Sequence, residues 1–197
     1  MRNSQVHEDK YMDKLLAILR NRKIKTTEFR VATKKLSVLL VRKFSRILRK
    51  RSVETKHVVL VVILRAGVAL LDGAIEEFPE APVGVLGMKR DEHTYVPFWY
   101  YKNLPKLSKK NIVAILDPML ATGGSAEAAV GYLIEQGAQP QNIYFVGVIG
   151  APEGLFRLAG LIPHQNIILA SLDKGLSAQK MILPGLGDFG DRFFGTL

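Results

Sequence analysis

In the first fifty positions apolar residues recur at helical spacing, and beyond position 57 they condense into short unbroken runs. MDKLLAILR at 12 to 20 predicts one helix. From 27 to 51, Phe29, Ala32, Leu36, Leu40, Phe44 and Leu48 advance by threes and fours and predict a second. Thr26 or Thr27, followed by Glu28, reads as its N-cap, and Arg49, Lys50 and Arg51 suit the negative end of its dipole. The runs at 58 to 64, 83 to 87, 112 to 116, 143 to 149 and 167 to 171 are apolar on both faces, as strands covered by helices on each side must be. Helical stretches near 68 to 77, 124 to 136 and 153 to 161 separate them. The alternation predicts an α/β fold with a doubly wound, mostly parallel sheet flanked by helices. Only 89 to 111 breaks the pattern. A segment of that length with two prolines and no clean period predicts a functional loop or hairpin over a site. Its Tyr95, Trp99, Tyr100 and Tyr101 suit either internal packing or a stacking surface.

Length adds that one domain suffices for the 197 residues. No apolar run approaches the roughly 18 residues of a membrane helix, since VVLVVIL stops at Arg65. The start, MRNSQVHEDK, is too polar for a signal peptide. With no cysteine, disulfides, thiolate nucleophiles and cysteine-ligated zinc drop out, and the expected location is the cytoplasm. The formal charge of +10 is unevenly placed: residues 1 to 57 hold 17 Lys and Arg against 5 Asp and Glu, residues 58 to 197 only 11 against 13. A segment this basic is either a solvated helix face or a surface for polyanions such as nucleic acid or phosphorylated metabolites.

In an open parallel sheet, ligands bind beyond the carboxyl ends of the strands. The predicted strands deliver there Arg65-Ala66-Gly67, Lys89-Arg90-Asp91-Glu92, Asp117 with the turn Thr122-Gly123-Gly124-Ser125, Ala151-Pro152-Glu153-Gly154, and Asp173-Lys174-Gly175. Gly123 and Gly124 let the backbone approach an anion. Their N–H groups and the hydroxyls of Thr122 and Ser125 can cradle a phosphate at the start of the next helix. No Walker motif is present. Asp117, one turn away, suits the vicinal hydroxyls of a sugar, and Arg65 and Arg90 have the forked donors that a second phosphate or pyrophosphate prefers. The sum is a sugar phosphorylated at both ends.

A competing pattern fails. Gly185, Gly187 and Gly190 match G-x-G-x-x-G, but they follow no convincing strand and too little chain remains for a crossover helix and next strand, so they predict a rigid loop offering backbone groups to a ligand. His7, His57, His93 and His164 lack metal or triad spacing.

In this order the motifs resemble the uracil phosphoribosyltransferase family, within the type I phosphoribosyltransferases. VILRAG (62 to 67), LLDG (70 to 73), GMKRDE (87 to 92), ILDPMLATGGSA (115 to 126), APEGL (151 to 155), ASLDKGL (170 to 176) and PGLGDFGDRFFGT (184 to 196) carry the likeness. It implies a single domain over 1 to 197: a basic helical segment (1 to 57), an α/β core (58 to 176) and a base-recognition segment (177 to 197), the two terminal segments forming a small hood. It implies transfer of phosphoribose from phosphoribosyl pyrophosphate (PRPP) to uracil, releasing UMP and pyrophosphate. Asp117, Pro118, Met119, Leu120, Ala121, Thr122, Gly123, Gly124 and Ser125 match the family's PRPP loop. Arg65 and Arg90 match its pyrophosphate contacts, and Arg65, Arg90 and Asp117 are the expected catalytic set. Ile182, Gly187, Asp188 and Phe189 match the uracil-reading segment, with Asp188 also facing PRPP. The implied cofactor is Mg²⁺ held mainly by PRPP and water, since Pro118 stands where many type I relatives carry a second acid. The implied assembly is a homodimer or higher homo-oligomer without membrane association, and GTP is an effector of some relatives.

Three departures stand out. Phe189 replaces the family's usual alanine, so its ring is expected to narrow the base pocket or select another base. SAQKM (177 to 181) replaces Asn-Glu-His-Gly-Tyr, which puts Met181 in place of an aromatic wall. The stretch from Phe29 to Arg65 is shorter than in the family and lacks its β-arm. With the basic segment, these features motivate a second reading: a PRPP- or RNA-binding regulator on the same scaffold.

Overall fold

The computed structural model describes the backbone of residues 2–90 and 97–196 and the side chains of residues 9–89 and 98–196. Two helices come first, α1 (Arg2–Arg20) and α2 (Thr26–Lys50). In α2 the predicted apolar stripe is the buried one: Phe29, Leu36, Leu40, Phe44 and Leu48 are at most 1% exposed. Each such side chain contributes about 1.5–3 kcal/mol on burial. The N-cap differs from expectation. It is Lys25, and the first helical residue is Thr26, because the Glu28 carboxylate reaches back to accept from the Lys25 N–H at 2.9 Å. A first-turn carboxylate thus satisfies the N-cap's own N–H, a different donor from those a threonine hydroxyl would take.

From α2 the chain passes through residues 51–57 into β1 (Val58–Leu64) with no hairpin between them. The rest alternates: α3 (Val68–Glu77), β2 (Val83–Arg90), β3 (Pro97–Asn103), β4 (Ile112–Leu116), β5 (Met119–Leu120), α4 (Gly124–Glu135), β6 (Ile143–Gly150), α5 (Pro152–Ala159) and β7 (Ile167–Leu172). A small hairpin, β8 (Gly175–Leu176) with β9 (Ile182–Leu183), and a short helix α6 (Phe189–Phe194) close the chain. β1 pairs in parallel with β2 on one side and β4 on the other; β4 and β7 flank β6, and β5 resumes the pairing with β6 after β4 is interrupted at Asp117-Pro118. Within this sheet, among the described residues, β3 alone runs antiparallel, pairing β2 at the edge. The irregular segment is therefore a hairpin; its 91–96 portion, including Asp91, Glu92, His93 and Tyr95, lies outside the described residues. Trp99 packs on Tyr132 of α4, ring centroids 5.5 Å apart, with the Lys102 ammonium over both rings. That favours packing for Trp99, while Tyr100 and Tyr101 stay exposed.

The sheet has two cores because strand side chains alternate faces. Val58, Leu60 and Val62 join α1, α2 and α3, whereas Val59, Val61 and Ile63 meet Ala129, Val130 and Leu133 of α4 and Leu158 of α5. The first core extends to Ile182, Leu186 and Phe189, so the two ends of the chain are packed together. Much of the basic face of α2 is answered by α3: Arg49 meets Glu77 at 2.8 Å, Arg42 meets Glu76 at 3.6 Å and Lys34 meets Asp72 at 3.7 Å. These pairs are largely exposed and each is worth little, but they reduce the bare positive field expected from the sequence. Among the described residues no helix is long and apolar enough to cross a membrane.

Candidate active site

Because α3 covers one face of the sheet and α4 the other, the winding reverses between β1 and β4. Such a switch point opens a crevice beyond the carboxyl ends of the two strands. Here that place holds Arg65, just past β1, and Asp117, just past β4. Both border a cleft of about 270 Å³, together with Ala66, Met119, Ala121, Lys180, Met181, Ile182, and Gly187 through Gly190. A larger groove of about 660 Å³ lies between α1 and α2, but its lining is chiefly apolar, with Leu15, Ile18, Val31 and Ala32, and gathers no set of convergent polar groups. The smaller, more polar cleft is the candidate site.

The segment after β4 is fixed by backbone bonds to β6. Pro118 O accepts from Val148 N and Ile149 N at 2.9 and 3.1 Å, and Leu120 O accepts from Ala151 N at 2.9 Å. Asp117 Oδ1 accepts from Met119 N at 3.3 Å, aiming the carboxylate along the turn. Thr122 Oγ1 accepts from Gly124 N at 3.4 Å. Gly123 is the N-cap of α4 at φ +79°, a left-handed conformation that a side chain would strain. α4 then begins at Gly124 and Ser125, where a helix presents amide hydrogens without intrahelical acceptors. Gly154 of α5 presses from behind: a Cβ there would lie 2.5 Å from Ala121 O. Asp117 and the turn Thr122-Gly123-Gly124-Ser125 therefore belong to one segment, of which Asp117, Met119 and Ala121 border the cleft while the turn itself lies beyond its lining.

Arg65 reaches across the cleft mouth. Its Nη2 donates to Asp191 Oδ1 at 3.0 Å, and its guanidinium carbon sits 5.5 Å from the Phe194 ring centre. With a side chain 58% exposed, it is accessible to an incoming anion. Arg90 closes β2, on the neighbouring strand, and its side chain lies outside the described residues.

The opposite wall is the C-terminal loop. Ile182, Gly187, Asp188 and Phe189 all border the cleft. Asp188 caps α6, its Oδ1 accepting from Asp191 N at 2.8 Å. The Phe189 side chain is 1% exposed and packs edge-on against Phe29 at 5.1 Å and stacked on Phe193 at 6.3 Å. The ring is thus held in the core, where α6 meets α2 and its apolar surface stabilises that junction, while the residue also borders the cleft. Met181, half-exposed, does stand on the cleft wall, beside Lys180, which has φ +60° in the turn between β8 and β9.

Three residues outside the expected set hold this wall. Arg20 donates to both oxygens of Asp173, at 2.5 and 2.7 Å, and to Gly185 O at 2.9 Å. Asp173 also accepts from Gly185 N at 2.9 Å and Ser171 Oγ at 3.0 Å. Burial opposes the charge of the Asp173 carboxylate, but the hydrogen bonds from Arg20, Gly185 and Ser171 outweigh it and hold the group below its ordinary range. Arg192, buried beneath the loop, donates to Leu186 O at 2.5 Å, to Leu19 O and to Asn21 O at 2.8 Å; desolvation lowers its own affinity for the proton. Asp173, placed at the shared mouth by its position after a strand, is instead 7% exposed and bound to the loop. Partners more than 150 residues away gave no local signal of this.

Comparison with known proteins matches the geometry. Residues 6–196 fit the family model described as uracil phosphoribosyltransferase. A uracil phosphoribosyltransferase of Levilactobacillus brevis is 40% identical, with 98% of each chain covered. A solved protein of Aquifex aeolicus superposes with a TM-score of 0.82 at 34% identity over 93% of both chains. A hypoxanthine phosphoribosyltransferase of Staphylococcus aureus shares the fold, with a TM-score of 0.53 at 11% identity over 71% of this chain and 74% of its own. With the family model covering nearly all of the sequence, the chain belongs to the uracil phosphoribosyltransferase family.

Proposed function

We propose that the cleft transfers phosphoribose from PRPP to uracil, forming UMP and pyrophosphate, with Arg65, Arg90 and Asp117 as the catalytic set. One observation carries this: Arg65 and Asp117 end adjacent parallel strands and border the same cleft as the loop that holds Gly187 and Asp188. In this reading Thr122, Gly123, Gly124 and Ser125 receive the 5-phosphate at the start of α4, backed by Pro118, Met119, Leu120 and Ala121. Asp117 accepts from the ribose hydroxyls. Arg65 and Arg90 take the pyrophosphate, and Ile182, Gly187, Asp188 and Phe189 present the base.

The C1′–O bond to pyrophosphate breaks with its electron pair going to the leaving group. The C1′–N1 bond to uracil forms, and the N1 proton is lost. Positive charge builds on the sugar and negative charge on the departing oxygen, so the protein's contribution is orientation together with neutralisation of the leaving group. Asp117 is followed by Pro118, and among the described residues no three His, Asp or Glu side chains are grouped to hold an ion. That donor set suits an Mg²⁺ chelated by PRPP oxygens and water, with Asp117 the nearest protein carboxylate in the PRPP loop. The ion supplies further neutralisation of the pyrophosphate. Cytoplasmic location, a homo-oligomeric state and a GTP effector belong to the same proposal through the family likeness.

The test is pyrophosphate release from PRPP, Mg²⁺ and uracil. Folded protein that binds PRPP yet turns over no uracil would overturn the assignment.

A further inference from the structure

The Arg20–Asp173 pair lies outside the cleft lining, yet besides Ser171 of β7 its partner is Gly185, in the loop that leads to the cleft wall. Its two ends come from α1 and from the residue after β7, and between them they take both polar groups of one peptide residue: Asp173 accepts from Gly185 N, and Arg20 donates to Gly185 O. The next carbonyl, Leu186 O, is taken by Arg192. Gly187 and Asp188, immediately beyond, are at the cleft surface. Gly185 itself has φ +62°, and a Cβ on it would stand 2.1 Å from Ile182 O, so the loop turns as sharply here as a chain can.

A buried ion pair is a weak source of stability compared with apolar residues of the same size. Its advantage is geometric, because a guanidinium fork on a carboxylate fixes direction as well as distance. The Asp173 side chain is 2% exposed, and it accepts from three separate residues. A flat heterocycle of alternating donors and acceptors, read by peptide groups, needs those groups held to within about 0.5 Å. We propose that Arg20 and Asp173 are positioning residues for the base, fixing the peptide groups after Gly185 so that those at Gly187 and Asp188 meet the pyrimidine edge. The proposal rests on the uracil reading of the cleft given above.

Steady-state kinetics of the full chain, Arg20→Lys and Asp173→Asn provide the test, with uracil and PRPP varied separately. Lysine keeps the charge and loses the fork; asparagine keeps the size and one acceptor. Loss of a charge-assisted bond at Gly185 should raise KM for uracil roughly tenfold or more, with KM for PRPP within about twofold and kcat at saturating uracil within about threefold. Ser171→Ala, which removes one bond to Arg20 and one to Asp173 but none to the loop, should move KM for uracil by less than about threefold. If the pair is only structural, activity falls in proportion to the folded fraction and both KM values stay at the parent level, which overturns the proposal. A parallel rise in both KM values overturns it as well. Should either single variant fail to fold, the other and Ser171→Ala carry the same comparison. An inactive parent protein would instead reject the uracil reading, so the two failures are distinct.

Discussion

Gly154, at the start of α5, is packed against Ala121 so closely that a methyl group on it would come within 2.5 Å of the Ala121 carbonyl oxygen. The atoms opposed are backbone, which cannot rotate away. A glycine one strand removed from the phosphate turn is thereby part of its shape. Gly154→Ala should displace residues 120–123 and cost about 1–3 kcal/mol through overpacking. Thermal denaturation would report the lower midpoint, and KM for PRPP should rise while KM for uracil changes less.

Arg65 offers a different balance of stability and activity. Its pair with Asp191 is largely exposed, so Arg65→Ala should change stability by less than about 1 kcal/mol. Losing a guanidinium from a substrate charge pair typically costs ~2–5 kcal/mol. kcat/KM for PRPP should fall accordingly, by roughly 30-fold or more, at ~1.4 kcal/mol per factor of ten. Pyrophosphate release measured beside thermal melting checks both halves.

Phe189 is buried against Phe29 and Phe193, so Phe189→Ala should lose about 3–5 kcal/mol to the cavity it leaves. Urea denaturation should show the loss. The ratio of kcat/KM for uracil to that for other pyrimidines should stay close to the parent value, since the side chain is almost wholly buried in the core.

Asp173 makes acid a probe of the base wall. Its folded-state proton affinity is depressed, so its contribution to stability is full above the unfolded value of about pH 3.9 and is lost as pH falls below it toward the folded value. The gap in thermal midpoint between the parent and Asp173→Asn should be constant from about pH 7 to 5 and shrink below about pH 4. A gap that does not narrow there would exclude the ionised carboxylate as its source.

Strands and helices were legible where burial is all-round or one-sided: VVLVVIL is a central strand, and the stripe from Phe29 to Leu48 is the face α2 buries. The turn between β5 and α4 was legible because glycines and hydroxyls between a strand and a helix have a local meaning. Sheet order was not, because pairing partners leave no mark on the strand itself. Lys25 as the cap of α2 was missed because the bond that marks it comes from Glu28, three residues away. The orientation of Phe189 depends on Phe29, far off in sequence, and Asp173 looked like a site residue because its counter-ion, Arg20, is equally remote.

Arg192 ties Leu186 to Leu19 and Asn21, and so fastens the last helix to the first. The C-terminal wall of the cleft therefore joins residues more than 160 positions apart, and its bonds can be complete only once residue 192 has been made. A nascent chain that ends before residue 192 lacks the donor that ties Leu186 to Leu19 and Asn21, and so has an unsealed seam beneath α1. For such a protein, loss of the C-terminal tail would be felt first as fraying at the opposite terminus.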